Sequence, residues 1–295
     1  MVVSRVISNP LWATLVGALV AAIGVSFFVF VRSGEAVPRA AADGQPASAS
    51  VVSPEIIDGT AVPDAKYPFM SFIQLFRNGK PFAACGGALI DPDSVLTAAH
   101  CLVNTSGAKV VVGRTDLSQR NQGQEIAASE PFIHPRYNHP AFAYDVGVLM
   151  LSRPVKGIKP IKLATAKQNN LETPRRKLTV AGWGATKPNG NLFPPRMREV
   201  SVPVVSDSRA DRAYATAPPS VRAPYYPSLQ VAAGEKGKDS CVGDSGGPLF
   251  DPGSRTEVGI TDYGPLPCAQ ARYPGIYTEV NNPQIRKWIL WAAKR

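Results

Sequence analysis

The segment "GKDSCVGDSGGPLF", Gly237 to Phe250, holds a serine followed by two glycines, two aspartates and a cysteine. A serine hydroxyl is a weak nucleophile at neutral pH. Chemistry at Ser245 therefore needs a base within hydrogen-bond reach and a further group that orients the base. Three histidines are available, His100, His134 and His139. His100 sits in "SVLTAAHC", at the end of an apolar strand-like run and beside Cys101, whereas His134 and His139 each precede a proline, which predicts surface turns for both. His100 is the candidate base. Asp145, which heads the apolar run "VGVLML", is the candidate orienting acid, because a carboxylate at the head of a buried strand requires a partner. Gly243, Gly246 and Gly247 let the backbone bend tightly around Ser245. The N–H groups of Gly243 and Ser245 are then candidates for an oxyanion hole. The chemistry these groups suit is acyl transfer.

The elements that must hold these residues read as β-structure. With 28 prolines and 25 glycines, turns are frequent and long helical periodicity is scarce. From Ile56 onward, strand-length apolar runs recur between turn signals. They include "FMSFIQLF" (69–76) before the turn "RNGK", "GALI" (87–90), "SVLTAA" (94–99), "KVVVG" (109–113) and "VGVLML" (146–151). "KLTVAGWG" (177–184), "TEVGIT" (256–261) and "GIYTEV" (275–280) follow. The spacing predicts antiparallel sheet or barrel, and the 240 residues from Ile56 suffice for two small barrels. One helix is predicted at the end, "NPQIRKWILWAAKR", with Asn282 as N-cap and Pro283 in the first turn. Its face of Ile285, Trp288, Ile289 and Ala292 should pack on a barrel.

Composition narrows the class further. The 295 residues are 44% hydrophobic and 18% charged, an ordinary globular balance. The net charge of +10 lies wholly beyond residue 55, since residues 1–55 hold three basic and three acidic groups. A solvated basic surface accounts for it. No long Lys/Arg run with interleaved aromatics is present, so no nucleic-acid partner is expected. Residues 11–31 carry no charge over 21 positions, with Arg5 before and Arg32 after. That length suits a membrane anchor, while Ala40-Ala41-Ala42 suits a cleavage site after a long signal peptide. Both readings of 1–32 put the rest of the chain outside the cytoplasm, secreted or tethered to the outer face of the membrane. Residues 33–55, rich in Ala, Ser, Pro and Gly, read as a linker or pro-segment. The four cysteines, Cys85, Cys101, Cys241 and Cys268, form no C-x-x-C and suggest two disulfides in an exported chain.

Taken together, "TAAHC", the "D-V-G-V-L" strand and "GDSGGPL", in that order, resemble the trypsin/chymotrypsin family of serine proteases. "AGWG" (181–184) and "PGIYTEV" (274–280) match further family stretches, and the resemblance covers Ile56 to the C-terminus. It implies an all-β, chymotrypsin-like fold of two six-stranded antiparallel barrels with a C-terminal helix, and an active site in the cleft between them. It implies disulfides Cys85–Cys101 and Cys241–Cys268. It implies Ser245 as nucleophile, His100 as proton shuttle and Asp145 as orienter. Asp239, six residues before Ser245, becomes the floor of a pocket for Lys or Arg. Ser240 assists there, and Gly264 and Gly275 form the walls. Asp244 is expected to pair with a new α-amine on Ile56 once a precursor is cleaved. The implied partners are protein or peptide substrates with Lys or Arg, an activating protease and protein inhibitors. No cofactor is implied.

The chain also departs from the family pattern. Glu55, not a basic residue, precedes Ile56, so self-activation is not expected. Asp262 stands where a serine usually supports the catalytic aspartate, and Tyr263 where a tryptophan is usual. A second carboxylate near Asp145 would raise one of the two pKa values. Arg114 falls where calcium-binding members carry an acidic ligand, so no metal site is expected. The competing functional class is a catalytically weak or inactive module that recruits partners through the cleft or the basic surface.

Overall fold

The computed structural model describes residues 56–218, 221 and 223–295. The readings of segments 1–32 and 33–55, Glu55 included, lie outside the described residues.

A short strand β1 (Thr60–Ala61) precedes the first barrel. Its six strands are β2 (Met70–Arg77), β3 (Lys80–Asp91), β4 (Ser94–Thr97), β5 (Gly107–Val112), β6 (Gln124–Ile133) and β7 (Gly147–Leu151). They close in the order β2-β3-β4-β7-β6-β5, with every pairing antiparallel. The short helix α1 (Ala99–Leu102) follows β4 directly. After β8 (Lys162–Leu163) come β9 (Lys177–Gly182), β10 (Arg198–Val205), β11 (Gln230–Ala233), β12 (Pro248–Asp251), β13 (Thr256–Tyr263) and β14 (Gly275–Glu279). These last six run β10-β11-β14-β13-β12-β9, and a β9–β10 pairing closes the second ring, again all antiparallel. β1 adds to β10, and β8 adds in parallel to β13, both outside the ring. The two six-stranded barrels implied by the resemblance are present.

Sequence explains these elements locally. In β2, Ile73 and Leu75 point inward while Phe72, Gln74 and Phe76 are partly exposed, the period-2 pattern of a barrel wall. Each such aliphatic burial contributes roughly 1.5–3 kcal/mol. Asn78 and Gly79 have φ of 50° and 73°, and Arg77 pairs with Lys80. Two residues with positive φ make the tight hairpin turn that the "NG" dipeptide favours. The barrels meet through Phe69, before β2, and Phe250, on β12, whose rings cross edge to face at 5.4 Å.

The terminal helix α3 (Pro283–Ala292) starts as expected, with the Asn282 side chain accepting from the N–H groups of Gln284 and Ile285. Ile285, Ile289 and Ala292 are fully buried, and Trp288 packs against the same core. The helix follows the second barrel in sequence but packs on the first, and the Ser94 hydroxyl donates to the Ala293 carbonyl at 3.1 Å. A further helix, α2 (Asp207–Ala215), had no counterpart in the sequence reading.

One expectation is corrected. His139 is exposed, as a surface turn requires, but His134 is only 5% exposed. Its ring stacks on Tyr144 at 4.8 Å and meets Trp288 at 5.0 Å. The proline after it does turn the chain, but α3 folds over that turn and seals it. Burial, with Arg136 nearby, holds its pKa down at about 4, so it is a neutral packing residue. On β13, Glu257 is fully buried, and neither carboxyl oxygen has a hydrogen-bond partner.

Candidate active site

His100 lies in α1, three residues after the buried end of β4. Its backbone N–H donates to Asp145 Oδ1 at 2.7 Å, and its Nδ1 meets Asp145 Oδ2 at 2.5 Å. Asp145 is fully buried, while the His100 side chain is 20% exposed and so can reach a substrate. These two bonds orient the ring, and a carboxylate facing Nδ1 favours the tautomer with Nδ1 protonated and Nε2 free to accept a proton. Burial disfavours a charged His100, but the Asp145 carboxylate outweighs it and raises the pKa above 6.5. Burial likewise opposes ionisation of Asp145, and the bonds from His100 reverse that and lower its pKa.

Ser245 is stitched to both barrels. Its carbonyl accepts from Gly86 N–H of β3 at 2.8 Å, and the next residue, Gly246, donates its N–H to Thr261 of β13 at 2.8 Å. Gly246 has φ of 78°, and a Cβ there would lie 2.1 Å from Thr97 Oγ1 and 2.7 Å from the Gly86 carbonyl. Only glycine lets this loop approach the end of β4, two residues before α1. The Cys85–Cys101 disulfide ties β3 to α1 beside it. Among the described residues the Ser245 hydroxyl makes no hydrogen bond, and the N–H groups of Gly243 and Ser245 have no protein acceptor. Both donors are therefore available to a ligand oxygen. A serine–base contact that forms only with substrate is common in unliganded sites.

A cavity of about 220 Å³ opens next to Ser245. Ser240, Gly264 and the buried disulfide partners Cys241 and Cys268 line it with Asp262 and Tyr263. Gly264 and Gly275 face each other, since a Cβ on the first would stand 3.7 Å from the Cα of the second. Asp239 is 2% exposed and sits beside Ser240 rather than in the cavity lining. Its Oδ1 accepts from Ser240 N–H at 2.8 Å and Tyr277 hydroxyl at 3.3 Å, and its Oδ2 from Gly275 N–H at 2.9 Å. Burial pushes its pKa up to about 7 despite those donors. A Cβ on Gly275 would fall 2.4 Å from Oδ1, so any side chain there displaces the carboxylate.

Asp244 is also buried, with Gly184 and Cys241 N–H groups donating to it at 2.9 and 3.0 Å and burial raising its pKa to about 6. Ile56 is fully buried with the second-barrel core, and Ile57 packs near Cys241 and Cys268. Among the described residues no hydrogen bond joins Ile56 to Asp244. Arg114 turns inward and donates to the carbonyls of Gln122 at 2.8 Å and Arg120 at 3.3 Å. The cysteines near His100 are spent in a disulfide, and Asp145 is engaged by His100.

Sequence reading missed Phe142, which has φ of 51° and meets His100 at 5.9 Å and Tyr263 at 5.4 Å. It also missed an apolar recess of about 590 Å³ beside Gly243, walled by Phe72, Trp183, Phe193 and Val242. These residues come from distant parts of the chain, and no local pattern marks them.

The trypsin family model matches residues 56–289. The chain is 38% identical over 200 residues to a protein named trypsin from Saccharopolyspora erythraea, covering 66% of this chain and 82% of that protein. It is 32% identical over 244 residues to the clotting factor G beta subunit of Tachypleus tridentatus, covering 77% and 76%. Kallikrein-5 of Homo sapiens is 32% identical over 265 residues, covering 88% and 83%.

Proposed function

The chain belongs to the trypsin family of serine proteases, and on that premise we propose an exported endopeptidase that cleaves after Lys or Arg. The observation that carries the specificity is Asp239, a buried carboxylate bonded to Ser240 next to a glycine-walled cavity. Its Oδ2 accepts a single bond, so lone pairs remain for a substrate cation. A guanidinium or ammonium there favours the ionised form and lowers the raised pKa.

In this reading Ser245 attacks the carbonyl carbon of the scissile peptide while His100 Nε2 takes the hydroxyl proton. Asp145 holds the tautomer and offsets the imidazolium charge. The N–H groups of Gly243 and Ser245 receive the developing oxyanion; one such donor is worth roughly 100- to 1,000-fold in rate. His100 then passes its proton to the leaving amine, and water resolves the acyl-enzyme by the same path.

The same reading makes the chain a precursor. Cleavage after Glu55 by another protease gives Ile56 an α-amine, and the buried Asp244 is the acid that receives it. Residues 11–31 direct export, as a cleaved signal or a retained anchor. A peptide-library cleavage profile of the chain starting at Ile56 tests the proposal. Cuts after Lys and Arg are expected, and cuts governed by any other residue before the bond refute the pocket assignment.

A further inference from the structure

Among the buried polar atoms without a hydrogen-bond partner is Oδ1 of Asp262. Asp262 is 4% exposed and lies one residue from the end of β13. Its other oxygen, Oδ2, accepts from the Gln230 side-chain amide at 3.1 Å and the Thr278 hydroxyl at 3.2 Å. Those donors come from β11 and β14 and fix the orientation of the carboxyl. Polar atoms of His100, Asp145 and Asp262 all lie within 4.8 Å of one another.

Two carboxylates sealed from water at this range cannot both be ionised, because each has lost hydration and each repels the other. One proton must stay in the pair. Asp145 is the poorer holder: its two oxygens accept two N–H groups of His100, and the ring of His100 turns cationic during the reaction. Asp262 meets only neutral donors, and its Oδ1 meets none. Two anions offer each other no hydrogen bond, whereas an acid and an anion do.

We infer that Asp262 is a positioning residue that keeps its proton in the active enzyme and donates it from Oδ1 to Asp145, so that the carboxyl pair carries a single negative charge. The inference rests on the assignment of His100 and Asp145 made above. Burial first, then the Asp145 charge, push Asp262 well above the ordinary carboxyl range, while Asp145 is held below it. The other titratable groups facing Asp262 are Tyr137 before β7, Tyr214 on α2 and the adjacent Tyr263, all driven upward and neutral. No lysine or arginine is among the groups acting on it. A neutral donor holds Asp145 in place without adding the charge that would trap His100 as imidazolium.

The test uses the chain starting at Ile56 and the variants Asp262→Asn, Asp262→Ser and Asp262→Leu. An infrared difference spectrum, wild type minus Asp262→Asn at neutral pH, reads protonation without catalysis. The C=O stretch of a protonated carboxylic acid is expected, and a carboxylate band in its place overturns the inference. In the pH profile of kcat, Asp262→Leu should fall roughly 10- to 100-fold, with Asn and Ser, which retain a donor, recovering part of the loss. The acid limb set by His100 should stay in place in the Asn variant. A downward move of about one unit or more would mean that a negative charge had been removed, which overturns the inference. So would a Leu variant as active as wild type. If no form turns over peptide, the functional reading fails, and the infrared band still decides this one.

Discussion

Glu257 offers the sharpest physical test of the fold. It lies on β13 opposite Phe250, fully buried, with both carboxyl oxygens unpartnered. Burial alone drives its pKa well above 4.5. A buried polar group without partners costs about 1–3 kcal/mol. Glu257→Met keeps a similar length and removes the carboxyl, so the variant should be more stable by that amount near pH 4.5. The gap then widens with pH. Above 4.5 the unfolded chain releases the Glu257 proton while the folded chain keeps it, so wild-type stability falls relative to the variant. The slope is about 1.4 kcal/mol per pH unit until the folded pKa is reached. For a domain of this size each kcal/mol moves Tm by about 2–4 °C, so the starting gain is about 2–12 °C. Thermal unfolding of both proteins at pH 5, 6 and 7 reads it. A variant that melts lower refutes the burial argument, and a gap that stays constant with pH refutes the ionisation argument.

Four further outcomes are expected. Asp239→Ser should lose roughly 10²–10³-fold in kcat/KM for Arg substrates and no longer prefer them over neutral ones, as seen with paired chromogenic peptides. On the proposed pocket assignment a cation is held by the carboxylate of Asp239 and not by its acid form, so a small amidinium inhibitor should bind more weakly as pH falls through about 7, measurable by calorimetry. Gly246→Ala puts a Cβ 2.1 Å from Thr97 Oγ1 at a positive φ, so it should abolish active-site labelling and lower Tm. Asp244→Asn, in protein correctly cleaved before Ile56, should lower kcat through a disordered oxyanion hole; full activity would remove the precursor switch.

What could be read from sequence followed from how local each signal is. "GDSGGP" and "TAAHC" are short local motifs that mark the candidate nucleophile and the candidate base, and the candidate acid heads its own apolar strand. β2 was legible because a strand-length apolar run, 69–76, leads straight into an Asn-Gly turn. β6 was not, since Gln124–Ile133 is mostly exposed and shows little apolar alternation. β10 contains Pro203 and β12 opens with Pro248, and proline argues against a strand until the pairing is seen. α2 buries only Ala210, Ala213 and Tyr214, too few apolar residues to make a stripe. His134 was misplaced because a proline signals a turn but not what packs over it. The nearness of Asp262 to Asp145 came from family resemblance; which of the two keeps the proton required their hydrogen-bond partners.

The central claim is that Ser245 is an activated nucleophile. Its most direct test is labelling of the chain starting at Ile56 with a phosphonate diester bearing an amidinium group, followed by peptide mapping. One phosphonyl group is expected, on Ser245, and none in His100→Ala. No adduct on Ser245, or one equally fast in the His100→Ala variant, would contradict it.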